Sequence, residues 1–198
     1  MGAYIIAITG ASGSIYGIKL LRYFLESGHK VYLTITKEGK LILKDEVGYK
    51  WDGSEKVVEK KIKRDLNLPK ANIYYNDEEN LFSPISSGSS LVDAMIVIPC
   101  SMKTLSGIAH GYGNNLVERA ADVMIKESRT LILVPRETPF NTIHLKNMLS
   151  LSEVGVKIIP PIPAFYSHPT NIDQIIDFVI GKILDSLGIE NKLYKRWK

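Results

Sequence analysis

Apolar residues in this chain fall in short blocks that alternate between two periods. Tyr4 to Thr9 is a continuous apolar run closed by Gly10, and Ile15 to Leu25 then repeats apolar residues at helical spacing. The pattern predicts strand, tight turn, helix. Val31 to Thr36, rich in β-branched and aromatic residues, reads as a second strand. Lys40 to Glu46 reads as a short helix, and Glu55 to Leu68 as an outward-facing one, with Val58, Ile62 and Leu66 at four-residue spacing among charges. Asn72 to Tyr75 gives a short strand, and Asn76 to Ser90, acidic and then rich in serine, a long loop. Ala94 to Pro99 and Thr130 to Val134 are further buried strands, and Val156 to Ile159 the last. Helices are expected over Met102 to His110, Leu116 to Lys126 and Phe140 to Leu151. Asn171 to Leu187 closes the chain as an amphipathic helix, with Ile172, Ile175, Ile176, Val179, Ile183 and Leu187 facing inward.

Strands alternating with helices imply an α/β fold of three layers, α/β/α, around a parallel sheet of Rossmann-like or flavodoxin-like type. The chain has 198 residues and no Pro/Ser/Gly-rich linker, so a single domain is expected over residues 1–198, ending in the C-terminal helix and a basic tail at 188–198. Apolar content of 45% against 23% charged excludes a disordered chain. No apolar run reaches the length of a membrane span and the first one lacks a basic start, which points to the cytoplasm. The net charge of +4 does not indicate nucleic acid, because its two basic clusters, Lys60 to Arg64 and Lys192 to Lys198, lack interleaved stacking aromatics. Cys100 is the only cysteine, and no Cys/His group has metal-ligand spacing. His29, His110, His144 and His168 lie in separate segments without a positioned Ser or Asp, and read as structural or surface residues.

Candidate chemistry gathers at strand ends. Gly10-Ala11-Ser12-Gly13 is a turn of small residues leading into a helix, where free amides and the helix dipole attract a phosphate and the Ser12 hydroxyl can donate to it. Alone, the turn is equally consistent with NAD, FMN or an ordinary βα connection. A dinucleotide site calls for an acid at the end of the second strand, where Thr36 and Lys37 stand instead; a ligand with one phosphate fits better. Ser101 is placed to cap the helix at Met102, repeating the opening geometry. Pro135-Arg136-Glu137-Thr138-Pro139-Phe140 leaves a strand between two prolines, pairing a cation suited to phosphate with a carboxylate able to move a proton. Arg119 and Lys126, seven residues apart, project from a similar side of their helix. Tyr166 ends the proline-stiffened loop that begins at Pro160.

Gly10-Ala-Ser-Gly, Ser87-Gly-Ser-Ser, Pro99-Cys-Ser-Met-Lys-Thr-Leu-Ser, Asn114-Asn-Leu-Val-Glu-Arg-Ala-Ala-Asp-Val, Val134-Pro-Arg-Glu-Thr-Pro-Phe and Pro163-Ala-Phe-Tyr together resemble the UbiX-type flavin prenyltransferases, in the family's order and over essentially the whole chain. The resemblance implies transfer of a dimethylallyl group from dimethylallyl phosphate to reduced FMN, closure of a new ring, and delivery of prenylated FMN to a UbiD-type decarboxylase. It implies no metal, and dodecamers with sites at subunit contacts. By position it assigns FMN binding to Gly10, Ala11, Ser12, Thr36, Ser101, Met102, Lys103, Thr104 and Arg136. The donor phosphate falls to Lys126, Arg136, Tyr166 and Lys182, with Arg119 nearby, and proton handling to Glu137 and Glu46, with Ser12 touching both phosphate and flavin. The chain departs from the family pattern at Lys182, where relatives carry arginine, and near Leu81, where they carry tryptophan. Three other readings remain: an FMN-dependent cysteine-type decarboxylase, whose Pro/Met/Asn clamp is missing; a short-chain dehydrogenase, whose Tyr-x-x-x-Lys occurs only at Tyr194 to Lys198; and a non-catalytic flavin carrier.

Overall fold

The computed structural model describes residues 1–196; Trp197 and Lys198, which end the basic tail and the Tyr194 to Lys198 spacing, lie outside the described residues. The strands are β1 (Ala3–Ile8), β2 (Lys30–Ile35), β3 (Ile73–Tyr75), β4 (Ala94–Cys100), β5 (Thr130–Pro135) and β6 (Lys157–Ile158). They form one parallel sheet in the order β3-β2-β1-β4-β5-β6. The chain winds outward from β1 to one edge, then crosses back to β4 and winds to the other. β1 and β4 are therefore neighbours whose connections leave in opposite directions, and a crevice opens above their carboxyl ends.

The helices are α1 (Ser14–Glu26), α2 (Lys37–Val47), α3 (Glu55–Asp65), α4 (Met102–Ala109), α5 (Leu116–Lys126), α6 (Thr142–Glu153) and α7 (Ile172–Ser186). Strand alternation divides the core in two. Ile6, Ile8, Leu33 and Ile35 pack against Leu21 and Phe24 of α1, Val58 and Ile62 of α3, and Ile180 and Ile183 of α7. Ile5, Ala7, Val97 and Leu133 face the other way, onto Leu105 of α4, Leu116 and Ala120 of α5, and Leu151 of α6. The α/β/α layering follows directly. No helix among the described residues is long and apolar enough to cross a membrane.

Where element ends differ from the sequence reading, capping decides them. α2 starts at Lys37 rather than Lys40 because the Thr36 hydroxyl accepts from the Gly39 amide at 3.1 Å. α6 starts at Thr142 rather than Phe140 because Asn141 caps it reciprocally with His144. The Asn76 to Ser90 loop contains one 3-10 turn, Pro84–Ser86, and Arg129 anchors its end by donating to the Gly88 and Ser90 carbonyls at 2.6 Å each. Cys100 is fully buried, and burial pushes its thiol up, which keeps it unreactive.

One buried hydroxyl joins the two central strands at the crevice. Thr9 Oγ1 donates to the Pro99 carbonyl and accepts from the Ser101 amide, both at 2.8 Å. Thr9→Val keeps the shape but leaves the Ser101 amide without an acceptor, and is expected to cost roughly 1–3 kcal/mol, whereas Thr9→Ser costs less. Urea unfolding of the two variants checks this; equal stabilities would contradict it.

Candidate functional site

The crevice above β1 and β4 is a cleft of about 450 Å³. Four helices, α1, α2, α4 and α5, present their N-termini at it, because each follows a turn or loop on this side of the sheet. Gly13 is the N-cap of α1 in a left-handed conformation, φ 104°, that glycine adopts without strain. Thr36 caps α2, Ser101 caps α4 by accepting from the Thr104 amide at 3.2 Å, and Asn115 caps α5 by accepting from the Glu118 amide at 3.0 Å. These starts bring positive dipole ends to one place.

The anion at the start of α1 comes from the protein itself. The Glu46 carboxylate, near the end of α2, accepts from the Gly13 amide at 2.9 Å and the Ser14 amide at 2.8 Å. Burial works against its charge, but hydrogen bonds from Ser12, Gly13 and Ser14 outweigh burial and hold the carboxyl below its ordinary value. The sequence reading offers the amides of this turn to a phosphate; in this structure those of Gly13 and Ser14 are taken by Glu46. At α2 the Lys37 amide likewise donates to Glu78, whose carboxyl is raised by burial, with Glu38 and Asp77 adding to the shift and the Lys37 amide opposing it.

α4 is different. Ser101 occupies the Thr104 amide, but among the described residues nothing accepts from the Met102 and Lys103 amides, so this helix start stays open to an anion. Arg136, at the exit of β5, reaches across and donates from Nε to the Ser12 carbonyl at 3.2 Å, which leaves its terminal nitrogens for a ligand. Glu137 follows, its carboxylate accepting from the Thr138 amide at 3.0 Å. Lys103 and Glu38 meet at 3.3 Å across the mouth; the amide of Glu38 and then Lys103 hold the Glu38 carboxyl below its usual range.

All the residues assigned to FMN, Gly10, Ala11, Ser12, Thr36, Ser101, Met102, Lys103, Thr104 and Arg136, line this cleft, as do Glu46 and Glu137. Arg119, Lys126, Tyr166 and Lys182 do not. Arg119 is exposed on α5 and pairs with Asp122 at 3.6 Å; Lys126 pairs with Glu127 at 3.2 Å. Tyr166 stands before α7, edge-on to Phe178, and Lys182 is exposed on α7. Sequence reasoning missed Glu38, Ile42, Asp45, Glu78 and Asn115 as lining residues. Only Asn115 carried a signal, an N-cap residue just before an apolar-periodic run. Among the described residues no group of three or more His, Cys, Asp or Glu is arranged to hold a metal.

The flavoprotein family model matches residues 3–184. The flavin prenyltransferase UbiX of Methanocaldococcus jannaschii is 49% identical over 193 residues, 98% of this chain and 97% of the relative. The chain belongs to the UbiX-type flavin prenyltransferase family. The crystal structure of AnUbiX (PadA1) in complex with FMN and dimethylallyl pyrophosphate has a TM-score of 0.89 and 37% identity to this UbiX-type chain, covering all of it and 97% of the other. The dodecameric FMN-dependent UbiX-like decarboxylase of Escherichia coli O157:H7 has a TM-score of 0.87 and 42% identity, covering 99% of each chain.

A carboxylate that caps a helix makes a pH-dependent contribution to stability. Glu46→Gln is expected to cost about 1 kcal/mol at neutral pH, a fall in Tm of about 2–4 °C for a chain of this size. Because the folded-state value lies below the unfolded one, the wild-type advantage is complete above the ordinary glutamate range and is lost as pH falls through the lowered value. Thermal unfolding of both proteins from neutral pH to about pH 3 checks this; a gap that stays constant would contradict it.

Proposed function

We propose that this chain is a flavin prenyltransferase: it transfers the dimethylallyl group of dimethylallyl phosphate to reduced FMN and closes a new ring, producing prenylated FMN for a UbiD-type decarboxylase in the cytoplasm. The observation that carries the reading is one cleft, at the switch point of the sheet, lined by the residues the family pattern assigns to FMN and flanked by two separate carboxylates, Glu46 and Glu137. Its chemistry suits FMN. The open amides of Met102 and Lys103, the Thr104 hydroxyl and the free edge of Arg136 offer donors for a phosphate, and the small residues Gly10 and Ala11 allow a flat ring close to the backbone. The reduced flavin supplies the nucleophile. The protein supplies cations that stabilise the departing phosphate as the allylic C–O bond breaks, and a carboxylate, Glu137, held by the Thr138 amide, to take the proton released on ring closure.

Arg119, Lys126 and Lys182 do not line the cleft of their own chain, so the reading assigns them to the cleft of a neighbouring subunit in a homo-oligomer, a dodecamer as in the E. coli relative. Apolar side chains exposed on α6, Ile143, Leu145 and Leu149, together with Phe82 in the long loop and Leu91 just after it, suit such contacts. Their burial against further copies would complete a donor site that one chain holds only in part.

The test is anaerobic incubation of the protein with reduced FMN and dimethylallyl phosphate, followed by the mass of the extracted flavin. A prenyl adduct is expected. Unmodified flavin, with binding of both ligands demonstrated, would favour a carrier and overturn the reading. Glu137→Gln is expected to retain FMN affinity and slow adduct formation by about 10²-fold or more; turnover at the wild-type rate would remove Glu137 from the mechanism.

A further inference from the structure

The tail beyond α7 folds back on the helix and is tied there by one carboxylate. Asp185 accepts from the Tyr194 hydroxyl at 2.5 Å, from Asn191 Nδ2 at 2.9 Å, and from both terminal nitrogens of Arg196, at 2.7 and 3.2 Å. Phe178, Gly181 and Asp185 stand at positions that share one face of α7. A Cβ at position 181 would lie 2.4 Å from the Tyr194 ring, so glycine there is what lets the ring lie on the helix. Phe178, one turn earlier, meets Tyr194 edge-on with centroids 5.1 Å apart, and also meets Tyr166 edge-on at 5.9 Å and 86°. Tyr194, Phe178 and Tyr166 thus form a continuous aromatic row. Lys182 is the next residue after Gly181.

We propose that Asp185 is a positioning residue for the donor-phosphate half of the site: by latching residues 191–196 to α7 it holds the Tyr194–Phe178–Tyr166 row and so sets the phenol of Tyr166. The proposal rests on the prenyltransferase reading for the identity of the donor. A single carboxylate taking this many donors is a stronger tether than a surface ion pair, because two of them are a forked guanidinium and one a phenol. Burial first, and then the Asp185 carboxylate, push the Tyr194 phenol up to about 12, so it remains a donor at neutral pH. Hydrogen bonds from Arg196, Tyr194 and Asn191 overcome burial and hold the Asp185 carboxyl below its usual range, so the acceptor remains charged.

The test uses the full-length protein with reduced FMN and varied dimethylallyl phosphate. Asp185→Ala is expected to raise KM for the donor about tenfold, with FMN affinity and kcat at saturating donor within about twofold of wild type. Tyr194→Phe, which keeps the ring and removes only its hydroxyl, is expected to move KM in the same direction by less, and it carries the test where Asp185→Ala does not fold. In a Tyr166→Ala background, Asp185→Ala should add nothing further, since its effect passes through that side chain. An unchanged KM in both single variants, or effects that multiply in the double variant, would overturn the proposal. Calorimetric binding of dimethylallyl phosphate to the FMN-loaded protein separates the two readings. A wild type that binds the donor about tenfold more tightly than Asp185→Ala, yet forms no adduct, supports the latch and overturns the prenyltransferase reading alone.

Discussion

A doubly wound parallel sheet turns the start of every helix that follows a strand toward one edge, and the amides there need acceptors. That requirement organises this molecule. Two of the helix starts at the crevice, α1 and α2, are met by the protein's own carboxylates, Glu46 and Glu78, whereas among the described residues nothing accepts from the Met102 and Lys103 amides of α4. With the α1 and α2 starts occupied from within, the open start of α4 beside Arg136 is left as a place for an anion. A site that binds one phosphate in a fixed direction follows from which starts are filled as much as from which are open.

The filled starts also hold candidate site residues in place. Glu46 accepts from the α1 amides, whose hydrogen bonds hold its carboxyl below the ordinary value, and Arg136 donates to the Ser12 carbonyl, so two residues that line the cleft bind the Gly10 to Gly13 turn and the start of α1. Thr9 keeps the two walls in register from beneath. Capping, alignment and candidate catalysis therefore use the same atoms. Changes at these positions mix stability with activity, which is why pH and affinity readouts are needed beside rates.

Much of this was legible in the sequence, for identifiable reasons. Apolar blocks of two periods give the alternation of strand and helix, and small or hydroxyl-bearing residues at the block junctions, Gly10 to Gly13, Thr36 and Ser101, mark where the chain turns into a helix. What was hidden depends on distant parts of the chain meeting. Arg136 reaches a carbonyl 124 residues away, and Glu46 finds α1 only because α2 packs beside it. The Glu78 carboxylate lies in a loop whose composition says nothing of its path. The acid absent from the end of β2 illustrates the limit: Glu38, two residues on, does reach the cleft, but its charge is directed to Lys103. The residues that the family pattern assigns to the donor phosphate are split in the structure: Arg136 lines the cleft, whereas Arg119 and Lys126 on α5, Lys182 on α7 and Tyr166 before it do not.

The central claim is that the cleft directs a single phosphate to the start of α4 while Glu46 retains the start of α1. A crystal structure of the FMN complex tests it most directly. The account predicts phosphate oxygens within hydrogen-bond distance of the Met102 and Lys103 amides, with the Glu46 carboxylate still on Gly13 and Ser14. A phosphate seated on the Gly13 and Ser14 amides, with Glu46 displaced from them, would contradict it.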